Sequence, residues 1–481
     1  MRLINPLVIL RIFSTILFIE SISFLLCLPV AHVYNESPYP FLWSSLISII
    51  ISVSFFFVSR NTPIHKITNR EGFLVVSLSW ILFSLLGALP FIFSGTVTSF
   101  VDAFFETASG FTTTGATIFE DVEILPHTIL FWRNLTQWIG GLGIIFLVIV
   151  ILPTFRITAH QLFSLESSLK EKILPRTKAI GFRLLYIYLA LTISEVILLS
   201  LGEMNLFDSI CHTFSTVSTG GYSTKNSSLS DYSAYSQYIV ALFMFLSGIS
   251  FVIYFYLVNF KFKKVFYNEE LWFYILVVVT SVISAILILI IRANEPFEPA
   301  LRNGIFQVIS IITTTGFITN DYLNWPHAGK LLIFILLFTG ACTGSTTGGI
   351  KMLRHLIVLK NIRAVFRKLI HPSAISQIKL NGITISDRTN IAIISFVVLY
   401  LFIFVIGTII ITINGTDPVS SASAVIATLG NTGPGLGTIG PVFNYAHMPD
   451  FSKIVFSLLM IIGRLEINTL FILFTRSFWR I

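Results

Sequence analysis

Long apolar runs alternate with short polar intervals along almost the whole chain. Ten runs approach the roughly 20 apolar residues that cross a bilayer core of about 30 Å. They lie at approximately 8–31, 42–59, 73–95, 131–153, 181–202, 236–258, 271–292, 329–350, 390–413 and 452–474. Four shorter stretches, approximately 99–110, 206–216, 298–312 and 418–429, fall between runs. They are too short or too mixed to cross, and each ends at a Thr-Gly element. These elements read Thr112-Thr113-Thr114-Gly115-Ala116, Ser218-Thr219-Gly220-Gly221-Tyr222, Thr313-Thr314-Thr315-Gly316-Phe317 and Asn431-Thr432-Gly433-Pro434-Gly435.

The pattern predicts an all-α polytopic membrane protein. Its first two spans form an extra N-terminal pair, residues 1–72. Four pseudo-repeats of helix, pore loop and helix follow at 73–180, 181–270, 271–389 and 390–481. One Thr-Gly pair alone would read as close packing between membrane helices. Four pairs, each after a short helical stretch and each on one predicted side, read as a filter in which backbone carbonyls replace an ion's water shell. Irregular backbone at membrane depth is tolerated where it lines such a path. Glycine permits the backbone angles that turn successive carbonyls inward. The negative ends of four short helices would favour a cation. No acidic ring occurs in the loops, which points to a monovalent cation. The expected filter residues are Thr113, Thr114, Gly115, Ser218, Thr219, Gly220, Thr314, Thr315, Gly316, Asn431, Thr432 and Gly433.

The eighth run contains Thr339 to Ile350, where four glycines and five Ser/Thr occupy twelve residues. Such a stretch makes a poor helix interior. It predicts a break in the span and a movable gating loop, with Gly344, Gly348, Gly349 and Lys351 in it. Arg464 and Glu466 lie in the tenth run, and a charge at that depth faces a cavity or a partner. Arg464 is expected to serve the gate as a cationic barrier or a loop anchor. Asp102, Glu106 and Asp208 read either as cation-concentrating groups at the outer mouth or as helix-capping and packing residues. Glu195 has no assigned role beyond a helix–helix hydrogen bond.

Composition supports the membrane reading. The 481 residues are 54% hydrophobic and 11% charged, against about 25% charged in soluble domains. Mean hydropathy is +0.86. The net charge of +8 forms no basic stripe, which excludes a nucleic-acid binder. Lys and Arg instead crowd the intervals 60–72, 154–180, 259–270 and 351–389, including Lys360, Arg363 and Arg367. The opposite intervals hold only Arg133, Lys225, Arg292, Arg302, Lys330 and Lys453. The bias places both termini in the cytoplasm and all four Thr-Gly loops on the outer side. The N-terminal run is nearer the length of a span than of a signal core. Cys27, Cys211 and Cys342 have no metal-ligand spacing and read as small core residues. No nucleophile with a neighbouring base lies in the runs, so an enzyme is not expected.

The four Thr-Gly elements, Gln137-Trp138-Ile139-Gly140-Gly141-Leu142-Gly143, Gly348-Gly349-Ile350-Lys351 and Gly463-Arg464-Leu465-Glu466 together resemble the Trk/Ktr/HKT superfamily. The extra N-terminal pair points to its TrkH branch. The resemblance covers nearly the whole chain. It implies potassium uptake across the bacterial inner membrane by a homodimer with one pore per subunit. It implies cytoplasmic RCK-type regulatory subunits (TrkA) that bind NAD(H) or ATP/ADP. By similarity, Gly115, Gly220, Gly316 and Gly433 are the filter glycines, and Gly115 in place of serine goes with potassium. Potassium is then substrate, and no organic cofactor is expected in this chain. The alternative is a proton- or sodium-coupled symporter, for which the ionisable residues along the spans, chiefly Glu195 and Glu466, are few.

Overall fold

The computed structural model describes residues 4–62, 68–146, 177–373 and 377–479. The end of the fourth expected span and the basic residues Arg2, Lys66, Arg156, Lys170, Lys172, Arg176 and Arg480 lie outside the described residues. Among the described residues the protein is helical apart from one two-stranded hairpin, Lys379–Leu380 with Ile383–Thr384.

Among the described residues, six helical stretches are each long and apolar enough to cross a membrane: Pro6–Val33, Tyr39–Ser59, Arg70–Phe93, Gly181–Ser200, Glu269–Ala293 and Asp387–Ile413. Their starts follow from local chemistry. Asn5, Asn268 and Ser386 accept backbone N–H groups at their helix N-termini, and Thr68 with Glu71 closes a capping box. Large apolar side chains such as Phe18, Trp43, Phe57, Leu287 and Phe402 face outward, while many serines and threonines are buried beside the apolar core. That is the distribution expected of a protein solvated by lipid.

The first two spans pack on each other through serines. Ser45 Oγ donates to the Ser21 carbonyl at 3.0 Å and Ser52 Oγ to the Ser14 carbonyl at 2.6 Å. Small polar residues of this kind let membrane helices approach. The pair joins the rest of the molecule through Trp132, which packs with Phe24, Phe41 and Phe111 and donates its indole N–H to the Gly87 carbonyl.

Four short helices fill the interior: Phe100–Phe111, Leu206–Val217, Phe297–Ile312 and Pro418–Leu429. Each is wedged between the two longer elements that flank it in sequence. The first also packs on Asp450–Arg464, the second on His127–Phe146 and the third on Ala234–Ser247. The fourth reaches the Leu337 carbonyl beside Gly430. The contacts therefore run in cyclic order.

Three expected spans are interrupted. The sixth is two helices, Ala234–Ser247 and Phe251–Val258, bent by 92°, where one continuous span was expected. The eighth stops as a helix at Leu336 and resumes at Met352. The tenth ends at Arg464, because Glu466 and Ile467 turn to φ 54° and 38°.

Candidate functional site

Each short helix ends in the same way. Thr113, Thr219, Thr314 and Asn431 take left-handed φ values of 53°, 58°, 52° and 55°. The next residue, Thr114, Gly220, Thr315 or Thr432, returns its N–H to the carbonyl five residues back, at 2.7–2.8 Å. This is a Schellman closure, but in three of the four turns threonine stands where glycine or asparagine is usual. A β-branched residue in that region is strained, and such strain persists where surrounding structure imposes it.

One residue further on, Gly115, Gly221, Gly316 and Gly433 hold φ values of 81°, 81°, 81° and 91°. The second element is thus registered one residue later than expected. Gly221, and not Gly220, is the counterpart of the other three, and Ser218 caps the helix. The shift arises because Gly220 and Gly221 both satisfy the sequence pattern, and only the backbone conformation separates them.

The four elements close a ring. A Cβ on Gly115 would strike the Gly220 carbonyl, one on Gly221 that of Thr315, one on Gly316 that of Thr432, and one on Gly433 that of Thr114. At each crossing a carbonyl oxygen abuts a backbone that carries no side chain, so only glycine fits. Gln137 donates to the Gly220 carbonyl at 2.7 Å and accepts from the Tyr222 N–H at 3.1 Å. Three phenols brace the ring from behind: Tyr222 on the Glu106 carbonyl, Tyr322 on Gly435 and Tyr445 on Gly433, at 2.7–2.9 Å. The sequence offered a faint signal for Tyr222, an aromatic directly after the glycine pair, and none for the other two.

The three acidic residues are each engaged by protein donors. Glu106 is buried and accepts from Arg133 Nε at 2.8 Å and from the Ile118 N–H at 2.9 Å. Arg133 lies over the Tyr222 ring at 4.2 Å. Asp102 accepts from Lys453 at 2.6 Å. Asp208 accepts from Thr224 and Asn205. The packing alternative holds for all three. Glu195 is fully buried, and both its oxygens lack a hydrogen-bond donor at normal distance.

The 339–351 segment lies against the ring. Thr339 and Ile350 bridge in parallel. Cys342 donates to the Gly248 carbonyl at 3.0 Å and Phe251 to that of Gly344 at 3.1 Å, so the unexpected bend near Gly248 seats the loop. Glu270 accepts the N–H groups of Thr343 and Leu353. Gly348 N–H donates to Thr314 Oγ1 at 2.8 Å. Lys351 Nζ folds back on Thr347. Arg464 reaches the Thr346 carbonyl at 2.5 Å and the Gly140 carbonyl at 3.2 Å. Glu466 pairs with Arg354 at 2.6 Å. A cavity of about 30 Å³ remains between Gly344, Gly348, Lys351, Gly463 and Arg464. Among the described residues no group of three His, Cys, Asp or Glu is placed to hold a metal ion. The site's chemistry is therefore neutral oxygens ringed by carbonyls, with cationic side chains beside the loop.

A buried ring of this kind, inside a lipid-facing helical body, defines a membrane transport protein. Residues 41–481 match the model of the TrkH family, described as cation transport proteins, and the chain belongs to that family. The potassium uptake protein TrkH of Salmonella typhimurium is 37% identical over 422 residues, spanning 86% of this chain and 87% of that protein. TrkH of Vibrio parahaemolyticus is 35% identical over 483 residues, spanning 98% and 99%. The crystal structure of the potassium transporter TrkH from Vibrio parahaemolyticus superposes with a TM-score of 0.91 at 33% identity, covering 99% of this chain and 100% of that one.

Proposed function

We propose that the protein is a potassium-uptake pore of the bacterial inner membrane, both termini cytoplasmic. Thr113 to Gly115, Thr219 to Gly221, Thr314 to Gly316 and Asn431 to Gly433 line its filter. The observation that carries this reading is the closed ring of four left-handed turns, each followed by a glycine that admits its neighbour's carbonyl. Rings of backbone carbonyls select monovalent cations by replacing their hydration, and the named relatives take up potassium. The 339–351 loop is the gate, held by Arg464. Cytoplasmic nucleotide-binding subunits of the TrkA kind release it, in a homodimer with one pore per chain.

Rubidium flux into liposomes carrying the purified protein tests the proposal, with sodium as competitor and a proton gradient on or off. Selective flux that ignores the gradient is expected. Flux that demands the gradient, or that treats sodium and rubidium alike, would overturn it.

A further inference from the structure

Thr113, Thr219, Thr314 and Asn431 occupy equivalent positions in the four turns, and the side chains of the last three meet the gate loop. Thr219 Oγ1 contacts Thr346 Oγ1 at 3.3 Å, and Thr314 Oγ1 accepts the Gly348 N–H at 2.8 Å. Asn431 Oδ1 lies beside Gly348 and Gly463, 3.0 and 2.9 Å from where a Cβ would sit on each. Its Nδ2 is fixed by Thr114 Oγ1 and the Met460 carbonyl, so its oxygen cannot turn away. Thr113 Oγ1 and Asn431 Oδ1 are fully buried, and both lack a hydrogen-bond partner.

Buried oxygens without donors are costly and call for an explanation. These are three hydroxyls and one carboxamide, with no acid among them. That set suits a monovalent cation that has shed part of its water. The Thr314 oxygen instead accepts from the loop, and the Thr219 hydroxyl donates to it. The Gly348 N–H presents the positive end of its dipole to Thr314, and the Arg464 guanidinium, bonded to the Thr346 carbonyl, adds a full positive charge close by. A cation on the same oxygens would be repelled by both.

We infer that these four side-chain oxygens form an inner cation site, and that the gate loop, when docked, competes with the cation for it. The inference rests on the pore reading and adds a regulatory consequence. A ligand that binds only the undocked state shifts the loop toward that state, and the coupling is reciprocal. Potassium at the inner end of the filter therefore loosens its own gate.

The test uses the full chain in liposomes with Ser345→Cys as reporter. Ser345 is buried and lines the cavity under the loop. The native Cys27, Cys211 and Cys342 are buried as well, and the parent chain supplies their background. The rate of modification by a small thiol reagent is expected to rise several-fold when potassium replaces choline, and to stay low in sodium. Thr314→Val is expected to raise the rate in choline and to flatten its response to potassium. Should Thr314→Val fail to fold, the potassium and choline rates of the Ser345→Cys protein decide alone. Thr347→Cys serves as reporter if Ser345→Cys does not assemble. Equal rates in potassium and choline, in vesicles that still pass rubidium selectively, would overturn the inference and leave the pore reading intact. Absence of selective flux in the parent protein would remove both.

Discussion

At Gly115 two constraints meet. Its φ of 81° disfavours any side chain, and an added Cβ would strike the Gly220 carbonyl. Gly115→Ser therefore has to displace one of the proposed coordinating oxygens, and its rubidium-over-sodium preference should fall in competitive flux. Gly95 is the control: its φ is 71° but nothing lies within 4 Å of a Cβ there. Gly95→Ala should cost about 1 kcal/mol of backbone strain and leave the preference unchanged. Behind the ring, Arg133 and Glu106 are both excluded from solvent. Removing one partner of a buried pair strands the other, at a cost of about 3–5 kcal/mol. Glu106→Ala should lower the midpoint of thermal unfolding, followed by tryptophan fluorescence in detergent, well beyond the shift in Gly95→Ala. An unchanged midpoint would mean that Arg133 finds water or another acceptor.

The elements show which features a linear pattern carries. The four short helices lie within about two residues of their expected bounds, because each has a Thr-Gly end that local chemistry fixes and three start at a Ser, Asn or Asp N-cap. The bend after Ser247 is not legible in the sequence, since a lone Gly248 in an apolar run looks like ordinary packing; what breaks the helix is the loop's claim on its backbone. The tenth span looked continuous because Leu465, Glu466 and Ile467 carry no breaker, and their turn is a tertiary effect. The buried role of Glu106 was illegible without Arg133 folded beside it. Since Arg464 closes that last helix and holds the Thr346 carbonyl, Arg464→Ala should raise potassium flux in the absence of any regulator; wild-type flux would deny it the anchoring role. Another element contact has a pH signature. Burial alone would raise the Glu36 carboxyl, but hydrogen bonds from Thr128 and His127 outweigh it and hold its pKa below the usual glutamate value. A depressed carboxyl stabilises fully above its unfolded pKa of about 4.3 and loses that contribution as pH falls through the folded value. Thermal stability should thus fall more between about pH 5 and pH 3 in the parent than in Glu36→Gln. Parallel losses would show that this tie between the N-terminal pair and His127–Phe146 is inert.

Across the whole molecule, the proposed gate loop runs directly into a basic helix. Lys351 ends the loop, and Met352–Ile370 begins at once, a helix of 19 residues and so roughly 28 Å long. Its first turns are anchored, with Leu353 and Ile357 buried against Leu380, Ile385 and Ile393. Its far half is bare, exposing Arg363, Arg367 and Lys368 beside Leu359, Ile362 and Phe366. A cytoplasmic subunit gripping that half would pull on the loop through a rigid rod, which is how a partner outside the membrane could reach a gate inside it. The grip would be electrostatic in part, since basic residues dominate the polar side. Lys360 is unsuited to test this, because it bonds Glu269 and the Lys379 carbonyl and its loss would disturb the anchor. Arg363→Glu with Arg367→Glu is the sharper change: both side chains are exposed, so folding should be spared. The expected result is loss of binding to the purified nucleotide-binding subunit, with selective basal flux retained and no longer responsive to nucleotide. Intact binding in the double variant would place the regulator elsewhere on the protein and leave the helix as a strut.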